Sequence, residues 1–281
     1  LKIYYIYMNC IFCSTCYKNE GFLNKSFDNI IKLKTLFNKF KIIICYDNSG
    51  DNTLKELCDL KKKYIDDLDI EILFNKKERF SMWYGRSYNI AQARNHILNY
   101  IQNQDYDNHS EDLVNEYDYF IMADIDDVFN FDFDMNGLSK LSCYINNNEE
   151  WDSLSFWNEG FYDTWSVSID DFQDSSWIVG EDIDKGWKKQ YEIRDYLRKV
   201  VEEMSQDLRP IDSIFNGFAI HKLDKFINIR YKPATILDDR ILMDCEHRSF
   251  YKEANKQGLK VMFCKVPLFK EMININELNK K

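Results

Sequence analysis

Two short segments, residues 41–46 (Lys-Ile-Ile-Ile-Cys-Tyr) and 117–123 (Tyr-Asp-Tyr-Phe-Ile-Met-Ala), are apolar at consecutive positions instead of alternate ones. A strand that is apolar on both faces must be covered on both, which is the condition of a central strand in a parallel sheet. The stretches between them supply the cover. Leu23, Phe27, Ile30, Ile31, Leu33 and Phe37 recur at helical spacing. Asp47-Asn48-Ser49-Gly50-Asp51-Asn52-Thr53 is turn chemistry followed by a helix N-cap, with the helix running to about residue 63. Strands are predicted over 3–13 and 70–74, and a helix over 89–102. This β-α-β-α-β alternation predicts an α/β fold, a mostly parallel Rossmann-like sheet with helices on both sides.

The second half is less regular. Helices are predicted over 137–146, 189–204 and 248–257, the last stopped by Gly258. Strands are expected at 151–157 and 260–266, short strands or turns at 216–221 and 240–245, and loops at 105–118 and 166–187. No repeat and no linker rich in Gly, Ser or Pro divides the 281 residues, a length one α/β domain can reach. We therefore expect a single domain, 1–281, with an ordered half (1–130) and a loop-rich half (131–281).

The charge balance is 37 basic against 47 acidic residues, a net −10. That excludes broad nucleic-acid binding, which rests on neutralised phosphates. No uninterrupted apolar run of about 18 residues exists, so no membrane-spanning helix is expected. The apolar start lacks the basic lead and small-residue exit of a signal peptide. The first residue is Leu1, which reads as a fragment whose upstream anchor or neighbouring domain lies outside it. Eight cysteines are present, and Cys10, Cys13 and Cys16 have the spacing of a metal or cluster site. No fourth ligand follows nearby, and the other five are scattered singly, so the spacing reads as chance: free Cys often serves as a small buried apolar residue, and scattered cysteines favour a reducing compartment. The sequons at Asn24 and Asn108 are no more than an Asn-rich chain produces by chance.

The most informative stretch is Asp124-Ile125-Asp126-Asp127, three carboxylates at the end of a doubly buried strand. Ligands of open α/β sheets sit at such strand ends. Carboxylates held close together either take up a proton or share a cation, and a hard divalent ion suits their oxygens. Phe129 stands where an EF-hand needs Gly, so this is not that motif. The plain alternative is a solvated acidic turn. Arg94 is the second clue: at about 100° per residue it falls inside the apolar stripe of Ile90, Ala93, Ile97 and Ile101. A guanidinium there needs an anion, either a protein carboxylate such as Asp47 or the acidic cluster, or a phosphate with Arg86 as a second clamp. The third is Glu246-His247 at a predicted helix start, readable as metal ligand, general base or helix-dipole partner. His96 and His221 read as satisfied packing residues and His109 as solvated.

Taken in order, these pieces resemble GT-A glycosyltransferases. The turn from Asp47 to Thr53 is similar to their first nucleotide-binding turn, Ala91-Gln92-Ala93-Arg94-Asn95 to their A-x-x-R-N helix, and Asp124-Ile125-Asp126-Asp127 to their D-x-D signature. Phe161-Tyr162-Asp163-Thr164-Trp165, Phe215-Asn216-Gly217 and Cys245-Glu246-His247 resemble the branch of fungal capsule-type α-1,3-mannosyltransferases and their relatives in algae and large DNA viruses. The resemblance covers roughly residues 10–267, and the 165–214 insert has no counterpart in it. It implies a metal-dependent hexosyltransferase with a UDP- or GDP-sugar donor, a glycan or glycoprotein acceptor and Mn²⁺ or Mg²⁺. It places Asp47 on the nucleobase, and Arg94 and Arg86 on the nucleotide or diphosphate. Asp124 and Asp126 fall on ribose and metal, Asp127 on metal or donor sugar, and His247 in the metal shell. Glu246 or Asp239 would be the base of an inverting reaction, with retention equally open. Asn216 belongs to the donor site, and Trp165 and Trp157 are candidates for stacking on a sugar. A cytoplasmic location follows, in the host if the protein is viral, or the Golgi lumen if an anchor was removed. Two rivals remain: a sugar nucleotidyltransferase, for which the stretch 10–24 holds only Gly21 where a Gly-rich loop is needed, and an inactive domain that kept the fold.

Overall fold

A computed structural model describes residues 8–75, 79, 85–103, 112–147, 150–158, 160–175, 183–237 and 240–270. In chain order its elements are β1 (Cys10–Cys16), α1 (Leu23–Lys34), β2 (Phe40–Tyr46), α2 (Thr53–Lys63), β3 (Asp69–Phe74), α3 (Arg86–Ile101), α4 (Leu113–Glu116), β4 (Tyr119–Asp124), α5 (Met135–Asn146), β5 (Ser153–Phe156), α6 (Ile183–Glu203), β6 (Leu208–Pro210), β7 (Phe218–Lys222), α7 (Leu223–Phe226), β8 (Ala234–Leu237), β9 (Arg240–Met243), α8 (Glu246–Lys256) and β10 (Val261–Cys264).

Eight strands form one sheet in the order β3-β2-β1-β4-β7-β5-β10-β6. The first four pair in parallel. β7 enters antiparallel between β4 and β5, β10 runs parallel to β5, and β6 closes the edge antiparallel. β8 and β9 make a separate hairpin. Every residue of β2 is buried, because its neighbours cover both faces. Ile42 and Ile44 pack with Leu23, Phe27 and Ile30 of α1 on one side, and Ile43 and Cys45 with Ala93 and Ile97 of α3 on the other. Each such side chain stabilises the fold by about 1.5–3 kcal/mol relative to leaving it in water. β1 lies between β2 and β4 with Cys16 beside Tyr46 and Thr15 beside Asp124. The chain runs from β1 outward to β2 and β3 on one side and returns to β4 on the other, so the strand order reverses beside β1 and a crevice opens at the carboxyl ends of these strands.

The structure corrects several boundaries. β1 extends to Cys16, and the predicted start at 3–7 lies outside the described residues. The predicted loop 105–118 contains α4, because Leu113 is fully buried and pulls the chain into a turn of helix. α6 begins before residue 189, inside the predicted loop, and α8 begins at Glu246. Cys10 and Cys16 face one core layer and Cys13 the other. Residues an odd number apart point to opposite faces of a strand, so the three thiols cannot share a metal. Burial pushes the Cys45 thiol up to about 12 and raises those of Cys10, Cys13 and Cys16. His221 is a packing residue, stacked on Phe120 at 4.6 Å, but it is not satisfied: among the described residues neither ring nitrogen has a hydrogen-bond partner.

Candidate active site

The crevice is a cavity of about 550 Å³ whose walls come from widely separated parts of the chain. Tyr17 and Asn19 follow β1, Asp47 follows β2, and Asp124 and Asp126 end β4. Arg86 and Arg94 come from α3. Tyr162, Asp163 and Trp165 come from the turn after β5, and Glu246 and His247 open α8. Asn19 ties the rim together: its N–H donates to Thr53 Oγ1 at 2.9 Å and its Nδ2 to the Ile125 carbonyl at 3.0 Å.

Arg94 is the centre of the site and is 3% exposed. Its Nη2 donates to Asp124 Oδ1 at 2.8 Å, and its Nη1 faces both Glu246 Oε1 and His247 Nε2. The guanidinium lies 5.0 Å from the Phe215 ring, on which His247 stacks at 3.7 Å. Of the two partners expected for Arg94, the structure thus supplies protein carboxylates. Burial alone would weaken the guanidinium's hold on its proton, but Glu246 and Asp124 outweigh that and strengthen it. Burial and then Arg94 push His247 well below the usual histidine range. A neutral His247 accepts from Arg94 at Nε2, which assigns its proton to Nδ1, a buried atom with no partner among the described residues. Burial raises Glu246 despite Arg94 beside it.

Asp124 is held from three sides. Arg94 takes Oδ1, the Tyr162 hydroxyl donates to Oδ2 at 2.7 Å, and its backbone N–H donates to the Gly217 carbonyl at 3.0 Å. Asn216 Oδ1 accepts from the Tyr162 N–H at 3.2 Å and so fixes the ring. Gly217 has φ +77°, and a Cβ there would sit 2.5 Å from Val128 Cγ1. Glycine is therefore the residue that lets this turn close over Asp124. Asp126 is the less committed carboxylate: its Oδ1 accepts from the Val128 N–H at 3.1 Å. Burial, then Asp124 and Asp127, push it up to about 7 against the pull of Arg86. Asp163 is pushed up to about 8 by burial, Glu246 and Asp124.

Among the described residues no three His, Cys, Asp or Glu side chains converge as a cage for an ion. The donor set still fits a hard divalent ion of the Mg²⁺ type, which takes one or two carboxylates and leaves other positions to water and phosphate oxygens. Asp126 is such a carboxylate, its proton affinity raised by burial and by Asp124 beside it. In this structure Arg94 occupies His247 Nε2, so that nitrogen is not open to an ion. Asp127 is exposed, opens the short turn Asp127–Asn130 and does not line the cavity. Asn216 is buried behind Tyr162 instead of facing the cavity. Trp157 is core, stacked on Phe161, whereas Trp165 lines the cavity. Asp239 lies outside the described residues.

Sequence reasoning missed Arg79 and assigned no role to Tyr162 or Asp163. Arg79 ion-pairs with Asp47 and stacks 3.3 Å over the Tyr17 ring, closing one end of the cavity. It belongs to the run Lys76-Lys77-Glu78-Arg79, which has the composition of any solvated loop. Tyr162 and Asp163 carried a signal in the run from Phe161 to Trp165, but nothing local said which atoms they would meet.

No family model matches the chain, and no curated protein matches it in sequence. Its shape does match solved structures. GalNAc-T7 with UDP, GalNAc and Mn²⁺ superposes with a TM-score of 0.52 at 12% identity, over 93% of this chain and 43% of that one. The mannosyltransferase PcManGT from Pyrobaculum calidifontis, in complex with GDP-Man and Mn²⁺, gives 0.51 at 10% identity, over 94% and 56%. TarS from S. aureus gives 0.50 at 11% identity, covering 97% of this chain. The chain spans 63%, 59% and 38% of the length of three TarS structures, under two thirds in each. At such identities the likeness is one of architecture: the chain has the mixed α/β fold of GT-A glycosyltransferases.

Proposed function

We propose that the chain is a metal-dependent glycosyltransferase that moves a hexosyl group from a UDP- or GDP-sugar to a glycan or glycoprotein acceptor. The observation that carries the reading is the pair Asp124 and Asp126 at the carboxyl end of β4, Asp124 fixed by Arg94 and Tyr162, in an open cavity that also presents Arg86, Arg79 and Asp47. The order of motifs supports membership of the capsule-type mannosyltransferase-like branch.

In this reading Asp47 and Arg79 meet the nucleobase, offering an acceptor and a donor at one end of the cavity. Arg86 attracts the diphosphate. Asp126, with Asp124, holds Mn²⁺ or Mg²⁺, which when bound supplies Lewis-acid stabilisation of the departing nucleoside diphosphate. Tyr162, Asn216, Gly217 and Arg94 keep Asp124 in one orientation, so less ordering remains to be done when the donor arrives. If the reaction inverts, its base is a cavity carboxylate with raised proton affinity. Asp163 and Glu246 both meet that description. Trp165 offers a ring face to a sugar.

The test is hydrolysis of UDP- and GDP-sugars by the purified chain with Mn²⁺, with Mg²⁺ and with chelator. We expect release of nucleoside diphosphate only with metal. Turnover that is indifferent to chelator, or none with any donor, would remove the reading.

A further inference from the structure

α6 carries two exposed aromatic rings, Trp187 at 56% and Tyr191 at 42%. They are four residues apart, so they stand one above the other on one flank of the helix. Arg194 and Arg198 continue that flank, while Ile193, Leu197 and Val200 face the core. Arg194 joins the flank to the cavity: its guanidinium lies 5.6 Å from the Tyr191 ring, and its Nε donates to the Phe161 carbonyl at 2.8 Å. Phe161 begins the turn that sends Tyr162, Asp163 and Trp165 into the cavity. Lys189 makes a second joint, donating to the Ser175 carbonyl at 2.8 Å, while Ser175 Oγ accepts from Trp165 Nε1 at 3.1 Å. Trp187 and Tyr191 thus stand about one helical turn apart on a flank that Arg194 ties to the turn carrying Trp165.

We infer that the Trp187–Tyr191 flank of α6 is an outer acceptor subsite, where a carbohydrate chain stacks while its terminal sugar enters the cavity beside Trp165. The inference rests on the transferase reading for the identity of the acceptor end. The size of the patch selects the ligand. Each aromatic side chain has roughly 150–250 Å² of surface, so two half-exposed rings offer about 200 Å². A stable protein partner or a second copy needs about 800 Å² on each side. The other exposed large apolar side chains, Phe22, Ile65, Phe74 and Met135, lie on other elements and do not extend the patch. A sugar presents an apolar C–H face of about one ring, and the charged side chains that follow each aromatic, Lys188 and Glu192, offer partners to its hydroxyls.

The experiment uses the whole chain on an immobilised panel of manno-, gluco-, galacto- and N-acetylhexosamine oligosaccharides. The wild type should bind at least one member. Trp187→Ala and Tyr191→Ala should each weaken that binding tenfold or more, with melting temperature and Mn²⁺-dependent UDP or GDP affinity unchanged, and Tyr191→Phe should retain it. No binding by the wild type, equal binding by the alanine variants, or a lowered melting temperature in them would each overturn the subsite, the last by showing that the rings pack structurally. A change in sedimentation on Trp187→Ala would overturn it in favour of a self-association face. Oligosaccharide binding without any nucleoside diphosphate binding would support this surface and sink the transferase reading instead.

Discussion

Replacing Arg94 by Met removes the cation from a site where Glu246 is 4% exposed and Asp124 is half-buried. Methionine keeps an apolar stem of similar length but loses the guanidinium that lies over the Phe215 and Tyr231 rings, so the effect is mainly electrostatic. Breaking a buried pair by removing one partner costs about 3–5 kcal/mol, because the other charge stays buried and uncompensated. Glu246 escapes by taking up a proton. Its folded-state affinity for that proton is already raised by burial, and loss of Arg94 raises it further. A carboxyl raised in the folded state contributes stability below its unfolded pKa and loses it as pH rises. The penalty of Arg94→Met should therefore be largest at pH 8 and shrink toward pH 5. The double variant Arg94→Met/Glu246→Gln should recover a large part of it. Urea denaturation at pH 5, 6, 7 and 8 on wild type, the single and the double variant measures this. A loss below about 1 kcal/mol at pH 8, or no recovery in the double variant, would refute the view that Arg94 is held by protein carboxylates.

Tyr162→Phe removes only the hydroxyl on Asp124 Oδ2 and should lower stability by about 1.5–3 kcal/mol, the worth of a hydrogen bond to a charged group; an unchanged urea midpoint would contradict the bond. His221 is held down to about 3 by burial and by Arg94. Its contribution is fully present above about pH 6.5 and is lost as pH falls toward 3, a total on the order of 4–5 kcal/mol. Asp126 and Asp163 act in the opposite sense, losing stability as pH rises through about 7 and about 8. The His221 term is therefore read as the difference between wild type and His221→Leu, which should diverge below pH 6.5 and run parallel above it; parallel curves throughout would refute it.

The parallel half of the sheet was legible because a doubly apolar strand leaves few alternatives: residues 41–46 and 117–123 became β2 and β4 in central positions. The burial of Arg94 was legible for a similar reason, since its helical phase put it among Ile90, Ala93 and Ile97. Its partner was not. Glu246 lies 152 residues away, and only the closure of α8 over the strand ends brings the two together. His247 illustrates the same limit, because Glu-His beside a helix start describes a metal ligand and a stacked, Arg-bound ring equally well. Asn216 and Gly217 were visible as a motif, but their work is done at one remove, through Tyr162 and the backbone of Asp124. The start of α6 was hidden by its composition: residues 183–203 are heavily charged, and the aromatics that mark its outer flank look, in one dimension, like interruptions of a loop.

The central claim is that Asp126 awaits a divalent ion that arrives with a nucleoside diphosphate. Calorimetric titration of UDP and of GDP into the chain, with Mn²⁺ and with chelator, tests it most directly when run beside Asp126→Asn. The account predicts binding of at least one nucleotide with Mn²⁺, loss of that binding in chelator, and loss in Asp126→Asn, whose fold should be intact because removing a charge relieves the repulsion from Asp124. Nucleotide binding that is equal with and without metal, or unchanged in Asp126→Asn, would contradict it.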